Sequence, residues 1–409
     1  MNQRAFAWLS LTVVFLGLVY YFAREDDSPR GGANRVDVFG DVDGEQVAKI
    51  SIAQSDKSVE LIEQDDRWRV PARANYFASG DKIRALLVKL INLSVTQKVT
   101  EDPEKFAALG VDDKAVESGK TKVVLATRDG KEIASLILGE TRKSKRPDPM
   151  APSGGGQYVR RSGANEVYLV SEQLSFATIP EEWLEQELFT VPQSRVRSVA
   201  QLIRTDGGWK EIFRVTSGPE GSQARTFQLA SVKSGETPEE ATISQLASGL
   251  ENIRISDVVP AAEVDEKLKG VKFDNRTVYE TNDGLLYTVD SGKDGEKLFA
   301  KVDVAYSDAV AKSVETEIKS HNERVAKERA AATPAPTAAK VDAGDDEEEV
   351  DVADVPEVEL LTAKLSNAEE AKKLDDRFAN WAYQLPQYFS QKLRQTRESL
   401  MKSSTSAAK

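Results

Sequence analysis

The chain has 409 residues, of which 40% are hydrophobic and 30% charged, enough apolar material for two domains of ordinary size. It has no cysteine, which excludes disulfides, a lipoprotein anchor, thiolate zinc sites and Cys–His catalysis, and one histidine, which excludes zinc sites with two or more histidine ligands. A Ser–His–Asp site would have to use that single histidine, which is predicted to be solvated. The formal net charge is −12, but ten acids and no base lie within residues 341–359. The remainder is nearly neutral, so we expect no nucleic-acid partner.

The first predicted element is a membrane-spanning helix. Residues 5–23 form a run of 19 residues without a charged side chain, followed directly by residues 24–27 (REDD). Such a helix is about 28 Å long, close to the roughly 30 Å hydrocarbon core of a bilayer. We predict that residues 1–24 anchor the chain by a single pass in the inner (cytoplasmic) membrane, with the soluble body extracytoplasmic, in the periplasm. A cleaved signal peptide is the alternative interpretation.

Downstream of the anchor, two stretches that lie 160 residues apart share one helical pattern. Residues 81–99 and 241–259 place apolar side chains at matching positions. The six matched pairs are Ile83/Ile243, Leu86/Leu246, Leu90/Leu250, Leu93/Ile253, Val95/Ile255 and Val99/Val259. The register continues to a Gly-Val pair at residues 110–111 and 270–271, so the sequence predicts two related units.

Three shorter matches extend this predicted repeat. Residues 127–130 (TRDG) and 281–284 (TNDG) are predicted hairpin turns at an offset of 154. Two further matches pair Trp68 with Trp209, each after an acidic turn, and residues 179–183 (IPEEW) with 385–389 (LPQYF). The last match has an offset of 206, which predicts about fifty extra residues in the second unit.

Composition sets the predicted domain boundaries. The predicted segments are a first unit at 36–192, the first part of a second unit at 193–306, an insertion at 307–359, and the completion of the second unit at 360–409. Residues 307–332 are polar and predicted helical, whereas 333–359 are too poor in large apolar side chains to bury a core. We interpret the latter as a disordered acidic loop, with a cation sink or docking tail as the alternative.

The predicted fold class is α+β, with an N-terminal single transmembrane helix followed by two related sheet-plus-helix units. Alternating strand patterns are interrupted by one helix in each unit, instead of strict strand–helix alternation. Residues 387–402 are basic and amphipathic, and we predict a C-terminal helix that packs on its own domain rather than on a membrane or a partner.

A basic loop offers the only predicted contact residues. Residues 152–156 (PSGGG) lack the lysine of a phosphate-binding loop and precede a strand, so they are interpreted as part of a long loop. The predicted partner or anion contacts are Lys143, Lys145, Arg146, Arg160 and Arg161, with plain solvated charges as the alternative. His321 is predicted to be a solvated surface residue, and we predict no catalytic, metal or cofactor-binding residue.

Several short motifs, in this order, resemble a known family. They are VAKISI at residues 47–52, WRV at 68–70, DPEKFAALGV at 102–111, LGE at 138–140, QYVR at 157–160 and VYLV at 167–170. The chain resembles a bacterial family of membrane-anchored proteins, domain of unknown function 4340, often encoded beside gliding-type ABC transporter components. The resemblance covers about residues 36–393 without the acidic insertion and implies inner-membrane transporter subunits as partners.

These observations predict a non-catalytic, membrane-anchored accessory or scaffold protein of an envelope complex, without cofactors. The alternative is a periplasmic receptor that holds a saccharide, peptide or lipid-linked ligand between the two repeat units. A hydrolase that uses carboxylates alone is a third hypothesis, and the residue inventory favours it least, since no pair among the 67 acidic residues stands out from sequence.

Overall fold

A computed structural model describes residue 38 and residues 42–142, 156–218, 226–332 and 360–402. The predicted membrane span at residues 5–23 lies outside these ranges. Within them, no helix combines the length and the apolar character needed to cross a bilayer. The described residues divide into two compact units: unit 1 contains Leu87–Lys122 and Ala134–Ser175, and unit 2 contains Glu45–Leu86, Val123–Ile133 and the chain from Phe176 onward. The architecture is mixed α/β with large antiparallel sheets.

The first sheet has nine strands in the order β4-β3-β2-β1-β6-β7-β8-β9-β5. The strands are β1 (Lys49–Gln54), β2 (Lys57–Gln64), β3 (Arg67–Val70), β4 (Tyr76–Phe77), β5 (Val95–Thr100), β6 (Thr121–Ala126), β7 (Glu132–Thr141), β8 (Gln157–Arg161) and β9 (Val167–Val170). Helices α1 (Gly80–Ile91) and α2 (Phe106–Leu109) flank β5 in sequence. Helix α1 buries Ile83, Leu86 and Leu90, because the spacing of three and four residues keeps them on one helical face.

The second large sheet has eight strands in the order β13-β12-β11-β16-β17-β18-β19-β15. The strands are β11 (Val196–Thr205), β12 (Gly208–Ser217), β13 (Phe227–Leu229), β15 (Asp257–Pro260), β16 (Lys272–Thr281), β17 (Leu285–Asp294), β18 (Lys297–Tyr306) and β19 (Trp381–Leu385). A separate two-stranded sheet pairs β10 (Glu187–Phe189) with β14 (Ile253–Arg254). The helices of this part are α3 (Glu240–Ala247), α4 (Val264–Lys267), α5 (Asp308–Ala332), α6 (Ala368–Phe378) and α7 (Ser390–Leu393).

The strand order of the second sheet repeats that of the first. The sequence β2-β1-β6-β7-β8-β9-β5 corresponds, strand for strand, to β12-β11-β16-β17-β18-β19-β15. Helix α3 stands before β15 as α1 stands before β5, and the paired residues Ile243, Leu246 and Leu250 are buried like their counterparts. The helical pattern that matched in sequence therefore precedes the corresponding edge strand of each sheet.

The two matched turns have the same side-chain chemistry. Thr127 Oγ1 accepts from Lys131 N at 3.2 Å, and Thr281 Oγ1 accepts from Leu285 N at 3.1 Å. Each threonine also donates to the aspartate two residues later. Gly130 and Gly284 follow with φ of +85° and +86°, a conformation that glycine adopts without steric cost.

Two other sequence matches are wrong in detail. Trp68 lies on β3, whereas Trp209 lies on β12, the counterpart of β2. The turn Pro180–Trp183 ends before Leu184, which bridges to Ala78.

The structural counterpart of Pro180–Trp183 is the turn Glu398–Leu400, not residues 385–389. It ends before Met401, which bridges to Pro238. Trp183 O accepts from Ser79 N at 2.8 Å, and Leu400 O accepts from Glu239 N at 2.7 Å. Their backbone contacts to the residues just before α1 and α3, and not an aromatic residue, relate these two segments.

The insertion lies between β18 and β19. Strand β18 ends at Tyr306 and β19 begins at Trp381, whereas residues 162–166 alone join β8 to β9. The helix predicted at 307–332 is observed as α5, and the acidic stretch falls outside the described residues. Helix α6 is an additional element that packs along β18, where Asp375 Oδ1 accepts from Val304 N at 2.9 Å.

The predicted C-terminal helix at 387–402 is broken into three short pieces. These are a 3₁₀ turn at Gln387–Phe389, helix α7 and a 3₁₀ turn at Glu398–Leu400. The chain leaves the helix after Leu393, whose carbonyl accepts from Thr277 Oγ1 at 3.1 Å, while the Arg394 side chain donates to Ser291 O at 2.9 Å. Leu393 and Leu400 are fully buried, so the segment packs on its own unit.

Candidate functional site

The structure separates the residues that were predicted as partner or anion contacts. Lys143, Lys145 and Arg146 lie outside the described residues. Arg160 and Arg161 are consecutive on β8, so their side chains leave opposite faces of the strand. Arg161 is partly exposed, whereas Arg160 is buried. Contact with a partner through this loop stays a prediction.

Arg160 has a structural role inside unit 1. Its Nε donates to Val111 O at 2.6 Å, its Nη1 donates to Ala164 O at 2.8 Å, and its Nη2 donates to Asp113. The guanidinium carbon lies 4.6 Å from the centre of the Phe106 ring. The planar guanidinium therefore connects β8 with the segment around Val111 and with Ala164, and a lysine ammonium could not make all of these bonds at once.

The expectation of a solvated histidine is wrong. His321 is only 8% exposed, and an Arg324 side-chain nitrogen lies 3.2 Å from its Nδ1. The buried residues of α5 are Ala311, Val314, Ile318, His321 and Val325, spaced alternately by three and four residues. That spacing, visible in the sequence, was the signal that His321 faces the protein.

A polar groove lies within unit 2 and has a volume of about 580 Å³. It runs between one face of the second sheet and the start of α5. Its lining residues are Arg197, Ser198, Arg214, Thr216, Ser217, Gly218, Glu280, Ala309, Val310, Ser313 and Glu317. The lining combines two arginines and two glutamates with four hydroxyl groups.

The charges of this polar groove neutralise one another. Ser198 and Glu280 are directly opposite on β11 and β16, and Ser198 Oγ donates to Glu280 Oε2 at 2.7 Å. Arg214 Nη1 donates to the other oxygen, Glu280 Oε1, at 2.9 Å. Burial lowers the pKa of Arg214, but hydrogen bonds and charges of Glu211 and Glu280 outweigh it and hold the pKa above its ordinary value.

The second arginine of the groove links the sheet to the inserted helix. Arg197 Nη1 donates to Glu317 Oε2 at 2.8 Å, and its Nη2 donates to Ser313 Oγ at 3.1 Å. Each charged group in the groove is therefore held by an opposite charge. This arrangement fixes α5 against the sheet and leaves the hydroxyls of Thr216 and Ser217 as further polar groups on the wall.

A second cavity in unit 2, the cationic cavity, has a volume of about 500 Å³. Its lining residues are Ser79, Gly80, Asp81, Lys82, Arg84, Leu184, Glu185, Gln186, Glu187, Leu188, Phe189, Arg254 and Arg377. Four of these side chains are basic and three are acidic. They come from the start of α1, strands β10 and β14, and the end of α6.

The acidic side chains of the cationic cavity differ in how closely they are paired with cations. Glu185 is bonded to Arg67 at 2.7 Å and lies 3.5 Å from Arg377. Lys82 Nζ donates to a neutral acceptor, Glu182 O. Arg84 approaches Asp81 only to 3.8 Å, and both side chains are largely exposed, so water screens the pair.

Arg254 stands opposite Glu187 on the β10–β14 ladder. No carboxylate of the described residues lies within 4.0 Å of its guanidinium. Among the described residues, Lys82 and Arg254 therefore face the cavity with no carboxylate within 4.0 Å, and Arg84 has only the screened Asp81. Nothing in the sequence connects residues 82, 84 and 254, because folding alone brings α1 and β14 together.

The tyrosines and aspartates with shifted pKa values line neither cavity. Tyr76 nevertheless lies near the cationic cavity, because burial raises its pKa and the charges of Glu185 and Arg377 contribute to the shift. Burial, followed by the charges of Asp290 and Asp375, raises the pKa of Asp303, and burial raises the pKa of Tyr279 and Tyr383. In the part of the chain that the structure describes, no group of three or more His, Cys, Asp or Glu side chains could hold a metal ion.

Comparison with known families gives a match over the middle of the chain. The model of the family described as "Domain of unknown function (DUF4340)" matches residues 68–276, slightly more than half of the chain. The match begins on β3 and ends within β16, so it includes α1, α3 and parts of both large sheets. No curated protein and no solved structure matches the chain.

Proposed function

The chain belongs to the DUF4340 family of unknown function, and from this premise we propose that it is a non-catalytic accessory or scaffold protein of an envelope complex. We further propose that residues 5–23 anchor it in the inner membrane and that its partners are subunits of an ABC transporter. The uncharged length of that segment supports the anchor, and the gene neighbourhood of the resembled family supports the partner.

The observation that carries this proposal is the pairing of charges in the polar groove. Arg197 with Glu317, and Arg214 with Glu280, connect elements of the fold and are held in fixed geometry. A catalytic acid or base needs access to a reacting group and a pKa near the working pH. Charges used in this way stabilise a rigid framework, which suits a protein that positions others.

The repeated framework supports the same conclusion. We propose that the equal strand order and the equal turns at Thr127 and Thr281 arose by internal duplication. Two similar sheet-plus-helix units provide extended surface without requiring a chemical centre. The cations Lys143, Lys145, Arg146 and Arg161 are the proposed contacts to a partner.

The test is affinity purification of the full-length protein from its native membrane in mild detergent, followed by mass spectrometry. We expect transporter subunits in stoichiometric amounts. A chain lacking residues 1–23 is the matched control, and it should lose these partners together with membrane association. Recovery of the full-length protein alone would refute the scaffold proposal.

A second candidate function is a periplasmic receptor. The polar groove favours it, because four hydroxyls and two ion pairs resemble the acceptors and donors that orient a saccharide. The sequence placed such a ligand between the repeat units, whereas this groove lies within unit 2. Saccharides that bind the native state should raise the unfolding temperature, and Thr216→Val should reduce that rise. An unchanged unfolding temperature across neutral and acidic saccharides would dismiss the receptor.

A further inference from the structure

We propose that the cationic cavity of unit 2 binds a small anionic ligand, an organic acid or organic phosphate. This inference concerns a different site from the polar groove and does not depend on the scaffold proposal. It rests on the placement of Lys82, Arg84 and Arg254 around a cavity of about 500 Å³. That volume falls in the range of about 300–1,000 Å³ that is typical of small-molecule sites.

The first argument is electrostatic. Lys82 is bonded to a neutral carbonyl, Arg84 to a screened carboxylate at 3.8 Å, and Arg254 to no carboxylate within reach in the described ranges. Of the three acids in the lining, Glu185 is already bonded to Arg67, Asp81 is largely exposed, and Glu187 stands opposite Arg254 on the ladder, so the four cations outnumber the acids. Cations that share one concave surface raise the local concentration of anions, and a bound anion relieves their mutual repulsion.

The second argument is the chemistry of the donors. A guanidinium offers parallel N–H donors that match two oxygens of a carboxylate or a phosphate. Arg84 and Arg254 supply two such groups from different elements, and Lys82 adds a compact charge. Carboxylate and phosphate share this recognition chemistry, so both remain ligands of the same proposed class.

The third argument is that the supporting elements are held in place. The start of α1 is fixed by the bond from Ser79 N to Trp183 O at 2.8 Å, and β14 is paired with β10. Helix α6, which carries Arg377, is capped at its N-terminus by Asn367, whose side chain accepts from Glu370 N at 2.9 Å. Backbones held in this way lose little freedom when the side chains bind a ligand.

The aromatic side chain of Phe189 in the lining indicates the chemistry of the non-acidic part of the ligand. Phe189 lines the cavity and is itself held by ring contacts, with its centroid 5.5 Å from Tyr287 and 5.0 Å from Phe378. A fixed ring beside cations suits a ligand whose acidic group is attached to a planar or apolar part. The proposed ligand is therefore an organic anion rather than a free inorganic ion.

Isothermal titration calorimetry of the full chain in detergent tests the proposal with four probes. Phenyl phosphate and phthalate are organic anions of the two acidic types, and inorganic phosphate and benzamide are the matched controls. We expect binding of phenyl phosphate, phthalate or both that weakens with added salt, weaker binding of inorganic phosphate, and none of benzamide. The two organic arms show whether phosphate or carboxylate is preferred.

Variants locate the binding. Arg254→Gln and Arg84→Gln should each weaken binding by about ten- to a hundredfold, as expected for loss of a charge-assisted hydrogen bond. Lys297→Gln, an exposed cation at the start of β18 and outside the cavity, is the matched control and should bind like the wild type. Both arginines are exposed, so their removal leaves the core intact. No binding of either organic anion at millimolar concentration, or equal binding by Arg254→Gln and Lys297→Gln, would overturn the proposal.

Discussion

Gly292 is the position where a single methyl group should disturb the fold most clearly. A Cβ added there would lie 2.5 Å from Lys272 O and 2.7 Å from a methyl group of Val271. Real Cβ atoms do not approach a backbone oxygen so closely, and Lys272 belongs to β16, the neighbour of β17. Strand β16 must therefore shift before alanine fits. Overpacking of this kind costs about 1–3 kcal/mol of the free energy of unfolding.

The first sheet contains the same close approach, which supplies an internal replicate. A Cβ at Gly139 would lie 2.4 Å from Leu109 O and 2.5 Å from a methyl group of Val111, and Val111 matches Val271 at the offset of 160. Gly139→Ala should therefore cost a similar about 1–3 kcal/mol. Both glycines accept close packing of the segment that follows the short helix of each repeat, α2 in the first and α4 in the second.

Urea unfolding, followed by circular dichroism, measures these changes. Gly270→Ala is the matched control, because its nearest new neighbour is an Asp294 side-chain oxygen at an ordinary 3.8 Å. We expect Gly270→Ala to stay within about 0.5 kcal/mol of the wild type, as surface substitutions usually do. If Gly292→Ala were as stable as Gly270→Ala, the close packing of β16 against β17 at this glycine would be refuted.

Three further substitutions test other parts of the structure. Arg160→Lys should lower the free energy of unfolding by about 1.5–3 kcal/mol, because one ammonium cannot replace the bonds to Val111 O and Ala164 O. The control Arg161→Lys should be nearly neutral in the same urea titration. Thr277→Val removes the bonds to Gln201 and Leu393 O and should cost about 1–3 kcal/mol, measured by thermal unfolding; an unchanged midpoint would contradict the buried network. The bond from Arg397, then that from Lys233 N, lowers the pKa of Glu236 to about 2 from 4.5, so the ionised carboxylate favours the folded state. This stabilisation is complete above the ordinary pKa of 4.5 and disappears as the pH falls towards 2. The difference in unfolding free energy between the wild type and Glu236→Gln should therefore shrink over that window. A difference that stays constant would exclude the Glu236–Arg397 pair as the source of the stabilisation.

Local chemistry explains which elements could be predicted from sequence. The helix at 81–91 and the turn at 127–130 depend on residues within one turn or one hairpin, so their patterns appear in the chain itself. The 160-residue repeat amplified these signals, because the same apolar positions and the same Thr-x-Asp-Gly turn occurred twice. Mixed α/β architecture with large antiparallel sheets followed from those elements.

Non-local contacts explain what could not be predicted. The burial of Arg160 depends on carbonyls at Val111 and Ala164 that only the folded unit brings to its guanidinium. The counterpart of the turn Pro180–Trp183 was expected at residues 385–389 but is the turn at Glu398–Leu400. The bridge from the next residue, Met401, to Pro238 identifies this turn, and an aromatic residue does not. The sequence comparison matched side chains, whereas the two repeats share a backbone bridge.

The difference between the repeats, rather than their similarity, coincides with the two cavities of unit 2. Helices α5 and α6 lie in the stretch between β18 and β19, where the first repeat has only residues 162–166. Helix α5 supplies Ser313 and Glu317 to the polar groove, and α6 supplies Arg377 to the cationic cavity. Both cavities of unit 2 thus combine the repeated framework with inserted helices. Because segments added to a rigid scaffold often carry binding residues, the side chains of the inserted helices are the ones that distinguish these two cavities from the first repeat.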